Sequence, residues 1–152
     1  MIWAGFFDNT KTPVVFMPPG QGKAADSIKN LYNVGLKPFM DTINKEKCPT
    51  LMEDNAAVHT ALLSYEYRAS NDIRKINNWP AQSPDFNPIK NVWKDLKVAA
   101  QTLYNPSSIA ELKEAIGQAW DNYLAHTFNN LLQSMPRRMQ AVVDTKGGPT
   151  RW

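Results

Sequence analysis

Asp54 closes the run Cys48-Pro49-Thr50-Leu51-Met52-Glu53-Asp54, which reads as a short buried-type strand with an acidic end. Open α/β sheets place their chemistry at the carboxyl ends of strands, where a side chain projects beyond the sheet edge. His59 follows close behind. One imidazole is a poor metal site, so capping or packing is its commoner use and contact with a phosphate the functional one. Lys90, Lys94 and Lys97 recur at helical spacing and form a basic stripe, fit either to meet phosphates or to lie on a solvated face. Arg137 and Arg138 carry the same two readings. Pro18-Pro19-Gly20-Gln21-Gly22-Lys23 lacks the glycine and lysine spacing that lets backbone amides cradle phosphates, and reads as a loop. The single cysteine, Cys48, permits no internal disulfide or multi-cysteine zinc site and reads as a small packing residue.

These side chains need elements to hold them. Ile2 to Phe7 and Pro13 to Met17, joined by the polar Asp8 to Thr12, predict a β-hairpin. From Ala25 to about Lys45, Ile28, Leu31, Tyr32, Leu36, Phe39, Met40 and Ile43 recur in helical rhythm and predict a helix over the sheet. A second helix is expected over Ala57 to Ala69 with Leu62, Leu63 and Tyr67 inward, and a weaker strand over Ile73 to Trp79. After Pro88, the residues Ile89, Val92, Trp93, Leu96 and Ala100 define the apolar face of the helix that carries the lysine stripe. Ser108 followed by Glu111 is at capping-box distance and starts a helix to about Leu124, with Leu112, Ile116, Trp120 and Leu124 inward. The stretch from His126 to Val143 reads as helical, with Phe128, Leu131 and Leu132 inward and a second short helix around Arg138 to Val143. Gly147-Gly148-Pro149 stops it.

Two segments carry a family resemblance. Met52-Glu53-Asp54-Asn55-Ala56-Ala57-Val58-His59 resembles the D-N-A-P-x-H motif of mariner-type DDE transposases. Trp79-Pro80-Ala81-Gln82-Ser83-Pro84-Asp85-Phe86-Asn87-Pro88-Ile89-Lys90-Asn91-Val92-Trp93 resembles their S-P-D-L-N-P-I-E block. The segments follow in the family's order, with 35 residues between Asp54 and Lys90. The departures are Ala57 for proline, Phe86 for leucine and Lys90 for the acid. The tail from Ser134 to Thr150 is similar to the family's C-terminal end.

The resemblance implies a ribonuclease-H-like fold, an α/β mixed sheet flanked by helices. In the family three carboxylates converge on two magnesium or manganese ions, which activate the attacking oxygen and stabilise the leaving one. Asp54 would be the second carboxylate, here vestigial, and a metal ligand only if the site survives. Lys90 stands at the third acidic position. An ammonium about 4 Å from a divalent ion is repelled by roughly 8 kcal/mol at an effective dielectric near 20, an upper-end value sufficient to empty an ordinary magnesium site. Lys90 therefore either pairs with Asp54 or points to solvent. Asp85 and Asp95 are the nearest substitutes for the acid and neither is favoured. Asp8 falls in the hairpin turn and does not replace the first carboxylate, which in the family precedes the hairpin. The chain is accordingly expected to be a single partial domain over residues 1–152 that lacks its central first strand. The hairpin would then pair with the Asp54 strand, a partner's strand would fill the gap, or the chain would fold poorly.

Composition agrees with such a domain without proving it. A net charge of +3 and a pI near 9.0 are compatible with nucleic acid and do not require it. No apolar run approaches the ~20 residues of a membrane span, and the start lacks the features of a secretory signal, so a soluble, intracellular, nuclear protein is expected. The leading reading is a transposase-derived, catalytically inactive domain with residual binding of duplex DNA through His59, Lys94, Lys97, Arg137 and Arg138, needing no cofactor. The alternatives are a protein-interaction module, engaging a protein partner or a homodimer at the strand gap, and a metal-dependent DNA endonuclease completed by a partner chain.

Overall fold

Pro13 decides the form of the N-terminal hairpin. Ile2–Trp3 (β1) pairs antiparallel with Val15–Phe16 (β4), in the register Ile2 to Phe16 and Trp3 to Val15. Phe6–Phe7 (β2) and Thr10–Lys11 (β3) form a second short ladder, turning at Asp8 with φ 51°. Between the two ladders Pro13 has no N–H to give. Thr12 bridges the interruption: its N–H donates to the Gly5 carbonyl at 2.9 Å, and its Oγ1 accepts the Gly5 N–H at 2.9 Å. The computed structural model describes residues 1–20, 23–80 and 84–151. Gln21 and Gly22 of the proline-glycine loop, and Ala81 to Ser83 of the Trp79 to Trp93 block, lie outside them.

The chain divides into two compact units, Met1–Gly5 with Lys11–Gln82, and Phe6–Thr10 with Ser83–Trp152. In the first unit the expected long helix forms over residues 24–42. Ala24–Ser27 (α1) leads into a wider π-helical stretch, Ile28–Leu36, and then Lys37–Thr42 (α2). The widening ends against Pro38, whose ring clashes with a normal preceding helical turn. The Lys37 N–H accordingly reaches back five residues, to the Tyr32 carbonyl. Leu31, Tyr32 and Leu36 are buried with Met17 and Ile73, and Trp3, Val15, Leu51 and Tyr67 pack against them. Gly35 lets this helix approach the hairpin: a Cβ there would stand 2.5 Å from Cζ3 of Trp3.

The expected strand over Cys48 to Asp54 shortens to one parallel bridge, Leu51 to Lys75. Leu51 donates to the Arg74 carbonyl at 2.7 Å and accepts from the Ile76 N–H at 2.9 Å. Left-handed residues bracket both runs, Cys48 on one side and Asp72 and Asn78 on the other, and Pro49 withholds a donor. Among the described residues the bridge and the hairpin share a core without sharing a ladder. Among the described residues the protein is thus mixed α/β, mostly helical, with small antiparallel ladders where a mixed sheet flanked by helices was expected. Cys48 is exposed, contrary to the packing role expected of it.

The helix expected over Ala57 to Ala69 is two helices, Ala57–Thr60 (α3) and Leu62–Ser70 (α4), broken at Ala61 with ψ 147°. The break resets the phase of α4. Leu62 and Leu63, expected inward, are 69% and 50% exposed, while Ser64 and Arg68 are buried.

In the second unit, a short turn Pro84–Phe86 precedes Ile89–Ala99 (α5), which continues as a wider turn over Ala100–Tyr104 and stops at Asn105 with φ 41°. Val92, Leu96 and Ala100 form its buried stripe, as their four-residue spacing predicts. Ile109–Asp121 (α6) is capped by Ser108, whose Oγ accepts the Glu111 N–H at 3.1 Å. Glu111 reaches back one residue further than the capping box requires, accepting the Ser107 N–H at 2.7 Å. Trp120 is buried as expected, between Trp93 and Phe128 with ring centroids at 6.0 and 5.6 Å. Leu112 and Leu124, expected inward, are exposed, because Ala115 and Ala119 form the close face of α6 beside Trp120. Ala125–Gln133 (α7) buries Phe128, against which Phe6 stacks at 4.7 Å. Met135–Asp144 (α8) starts earlier than the helix expected at Arg138, since Pro136 in its first turn is a favourable starter. Gly147, at φ 83°, ends it by donating to the Val142 carbonyl at 2.9 Å.

Candidate functional site

Alternation along the Leu51 run sends Leu51 and Glu53 inward and leaves Asp54 outward. Glu53 is a buried carboxylate, and the first unit is organised around it. The Tyr32 hydroxyl donates to it at 2.9 Å to Oε1 and 3.2 Å to Oε2. Nη1 of Arg68 donates to Oη of Tyr32 at 3.0 Å and to Oε2 of Glu53 at 3.4 Å. Nζ of Lys75 lies 3.6 Å from the same oxygen, and Nδ1 of His59 lies 3.1 Å from Oε1. The His59 carbonyl in turn accepts from Nη2 of Arg68 at 3.1 Å and from Nζ of Lys75 at 3.4 Å. The π-helical stretch, α3, α4 and the Lys75 bridge thus each contribute one group to a single carboxylate.

Burial alone would push Glu53 toward its neutral form. The bond from His59, the charges of His59 and Lys75 and the Tyr32 hydroxyl outweigh it, holding the carboxyl below its ordinary value of 4.5. Burial, followed by the adjacent Glu53 charge, pushes the Tyr32 phenol far above its ordinary range, so it remains a proton donor. This cluster explains the phase of α4: its inward face is polar because it faces Glu53. None of Tyr32, Glu53, Arg68 and Lys75 stood out as a site residue in the sequence. The available signal was parity, since Glu53 shares the strand face of core residue Leu51.

Asp54 is exposed, its side chain 49% accessible, and its Oδ1 accepts the Ala56 N–H at 3.1 Å in a tight local turn. Nε2 of His59 lies 4.0 Å from that oxygen. Asn55 donates to the Trp79 carbonyl at 2.6 Å, so the first motif is tied to the start of the second. Lys90, Lys94 and Lys97 are all exposed along α5, in the second unit. Arg137 is exposed. Arg138 is not: at 2% exposure, its Nε donates to Oγ of Ser134 at 2.8 Å and its Nη1 to the Asp85 carbonyl at 3.1 Å. Its guanidinium is hydrogen-bonded within the unit, unlike the exposed Arg137. Asp85 accepts from Oγ1 of Thr150 at 2.8 Å and Asp95 from Oη of Tyr123 at 2.7 Å, so both carboxylates have structural uses.

A centre with two magnesium ions needs several converging oxygen ligands. Among the described residues no three His, Cys, Asp or Glu side chains are grouped to hold a metal. Glu53 is saturated by Tyr32, His59, Arg68 and Lys75, leaving Asp54 as the only accessible carboxylate of its motif. The residues present do not fit the paired-ion group. Among the described residues no helix is long and apolar enough to cross a membrane.

Residues 9–113 match the sequence pattern of the family described as DDE superfamily endonuclease. The chain is 28% identical over 156 aligned positions to the transposable element Tc3 transposase of Caenorhabditis elegans, covering 100% of this chain and 45% of that protein. It is 27% identical to the Tc1 transposase of the same organism, over 82% of this chain and 44% of the relative. The Tcb2 transposase of Caenorhabditis briggsae is 30% identical over 66% of this chain and 36% of its own length. The chain spans less than half the length of these curated relatives. With the family pattern running from the hairpin turn into α6 and through both motifs around Asp54 and Lys90, the chain belongs to the DDE superfamily endonucleases, with Tc1/mariner-type transposases as its homologues.

Proposed function

We propose that this chain is a transposase-derived domain of ribonuclease-H-like ancestry that has lost strand-cutting chemistry and retains affinity for duplex DNA. The observation that carries the reading is Lys90, an exposed cation at the family's acidic position and at the head of the exposed Lys94 and Lys97. A cation there opposes divalent ions and favours phosphate, so one substitution turns the local electrostatics from metal holding to backbone binding. Asp54 remains as the vestige of the acidic set.

Fluorescence anisotropy with a labelled duplex across a salt series tests the binding half. Affinity should be measurable at low salt and fall steeply as salt rises. Strand-cleavage assays in magnesium and in manganese test the other half, with no cleavage expected in either. Cleavage that vanishes in Asp54→Ala would instead favour a residual endonuclease. No DNA affinity even at low salt would favour a protein-interaction module. That second reading draws on the apolar surface of the second unit, where Leu103 and Ile109 are 73% and 76% exposed.

A further inference from the structure

Lys90 stands in the first turn of α5, and among the described residues no side chain caps that helix. The turn is closed by the residues just before it. The Lys90 N–H donates to the Asn87 carbonyl at 3.0 Å and the Asn91 N–H to the Pro88 carbonyl at 3.1 Å. Asn87 and Pro88 follow directly on the short turn Pro84–Phe86. Where that turn sits therefore decides where the α5 lysines begin.

One residue of the turn, Asp85, receives two bonds from the far end of the chain. Its carbonyl accepts from Nη1 of Arg138, on α8, at 3.1 Å, and its Oδ2 accepts from Oγ1 of Thr150 at 2.8 Å. The second bond ends on a carboxylate, so it is of the stronger, charge-assisted kind. The tail that brings Thr150 there is shaped for the return. After the left-handed Gly147, the Gly148 N–H donates to the Thr145 carbonyl at 3.0 Å, and Oγ1 of Thr145 lies 3.0 Å from the Gly148 carbonyl oxygen. A Cβ at Gly148 would stand 3.1 Å from the Thr145 carbonyl oxygen, so the reversal leaves a side chain there little room. Pro149, with its fixed φ, leads straight to Thr150.

We propose that residues 145–150 are a strap that fixes the Pro84–Phe86 turn through the Asp85 carboxylate, and that Asp85 and Thr150 are thereby positioning residues for Lys90 in its contact with DNA phosphate. Only this last step rests on the DNA-binding reading. The strap itself is measured without DNA.

Residue-resolved hydrogen exchange on the full chain tests the strap. Thr150→Val keeps the shape of the side chain and removes the donor, and Asp85→Ala removes the acceptor. Both should speed exchange of the Lys90 and Asn91 amides about 3–10-fold, the size of one ordinary net hydrogen bond in a local opening, while α6 keeps its native protection. Thr150→Ser, which retains the hydroxyl, should restore native exchange. Unchanged exchange at Lys90 and Asn91 in both variants overturns the strap, as does acceleration spread evenly through α6, which marks general loosening of the unit. A double-mutant cycle on duplex affinity at fixed low salt tests the positioning of Lys90. Thr150→Val should lower affinity by part of what Lys90→Ala costs, and by nothing further in chain already carrying Lys90→Ala. Additive losses overturn the positioning role. Because exchange needs no ligand, it decides the strap even where the chain binds no DNA, so the two readings fail separately.

Discussion

At the scale of single residues, Arg68 and Glu53 matter most to the first unit. Removing one partner from a buried charge cluster leaves the other charge uncompensated, at a cost of about 3–5 kcal/mol. Arg68→Ala should fall toward the lower end, because Lys75 and His59 still face Glu53. Urea unfolding followed by circular dichroism measures it, and a change within ~0.5 kcal/mol, the range of ordinary surface substitutions, would mean that Arg68 does not hold the cluster. The pH dependence has a definite sign. The Glu53 carboxyl lies below its ordinary 4.5 in the folded chain, so its contribution is fully present above that value and is lost as pH falls through the lowered one. Urea midpoints of the native chain should therefore drop between pH 5 and pH 3 more than those of Glu53→Gln. Equal drops would show that other carboxylates carry the acid sensitivity.

Among the elements, close approaches and open helix positions make opposite predictions for similar substitutions. Gly35→Ala drives a methyl against the Trp3 ring, where its Cβ would lie 2.5 Å from Cζ3, and should cost about 1–3 kcal/mol as overpacking. Gly117→Ala, in α6 with nothing within 4 Å, should instead stabilise by about 0.5–1 kcal/mol by stiffening the helix. Thermal unfolding of both variants should shift the transition in opposite directions, and the same sign would contradict the packing at Trp3. The same contrast separates what was legible in the sequence from what was not. Val92, Leu96 and Ala100, or Leu31, Tyr32 and Leu36, could be read because their helices continue unbroken beneath them. Leu62 and Leu63 could not, since the break at Ala61 turns α4 so that Arg68 rather than the leucines faces inward to Glu53, which periodicity does not register. The strand ending at Asp54 was misjudged in length for the same reason: hydropathy reports burial, whereas a ladder needs a neighbour at hydrogen-bonding distance.

For the molecule as a whole, the family was legible from two motifs and their order, while the polar cluster beside Asp54 required the tertiary structure. The candidate DNA contacts divide in the same way. Lys90, Lys94 and Lys97 lie on one face of α5 and remain exposed, but Arg138, equally basic in the sequence, is buried against Ser134 and Asp85. Counterion release makes this difference measurable, because each phosphate neutralised contributes about 0.9 to the slope of log K against log salt. Replacing all three α5 lysines by alanine should lower that slope by roughly 2.7 if each meets a phosphate, and Arg137→Ala by at most about 0.9. Arg138→Ala should leave the slope unchanged in chain that remains folded and lower stability instead, since its guanidinium is buried and bonded to Ser134 and Asp85. Anisotropy titrations at four or more salt concentrations decide it. An unchanged slope in the triple lysine variant would remove α5 from the DNA-binding surface and leave Lys90 as evidence of descent alone.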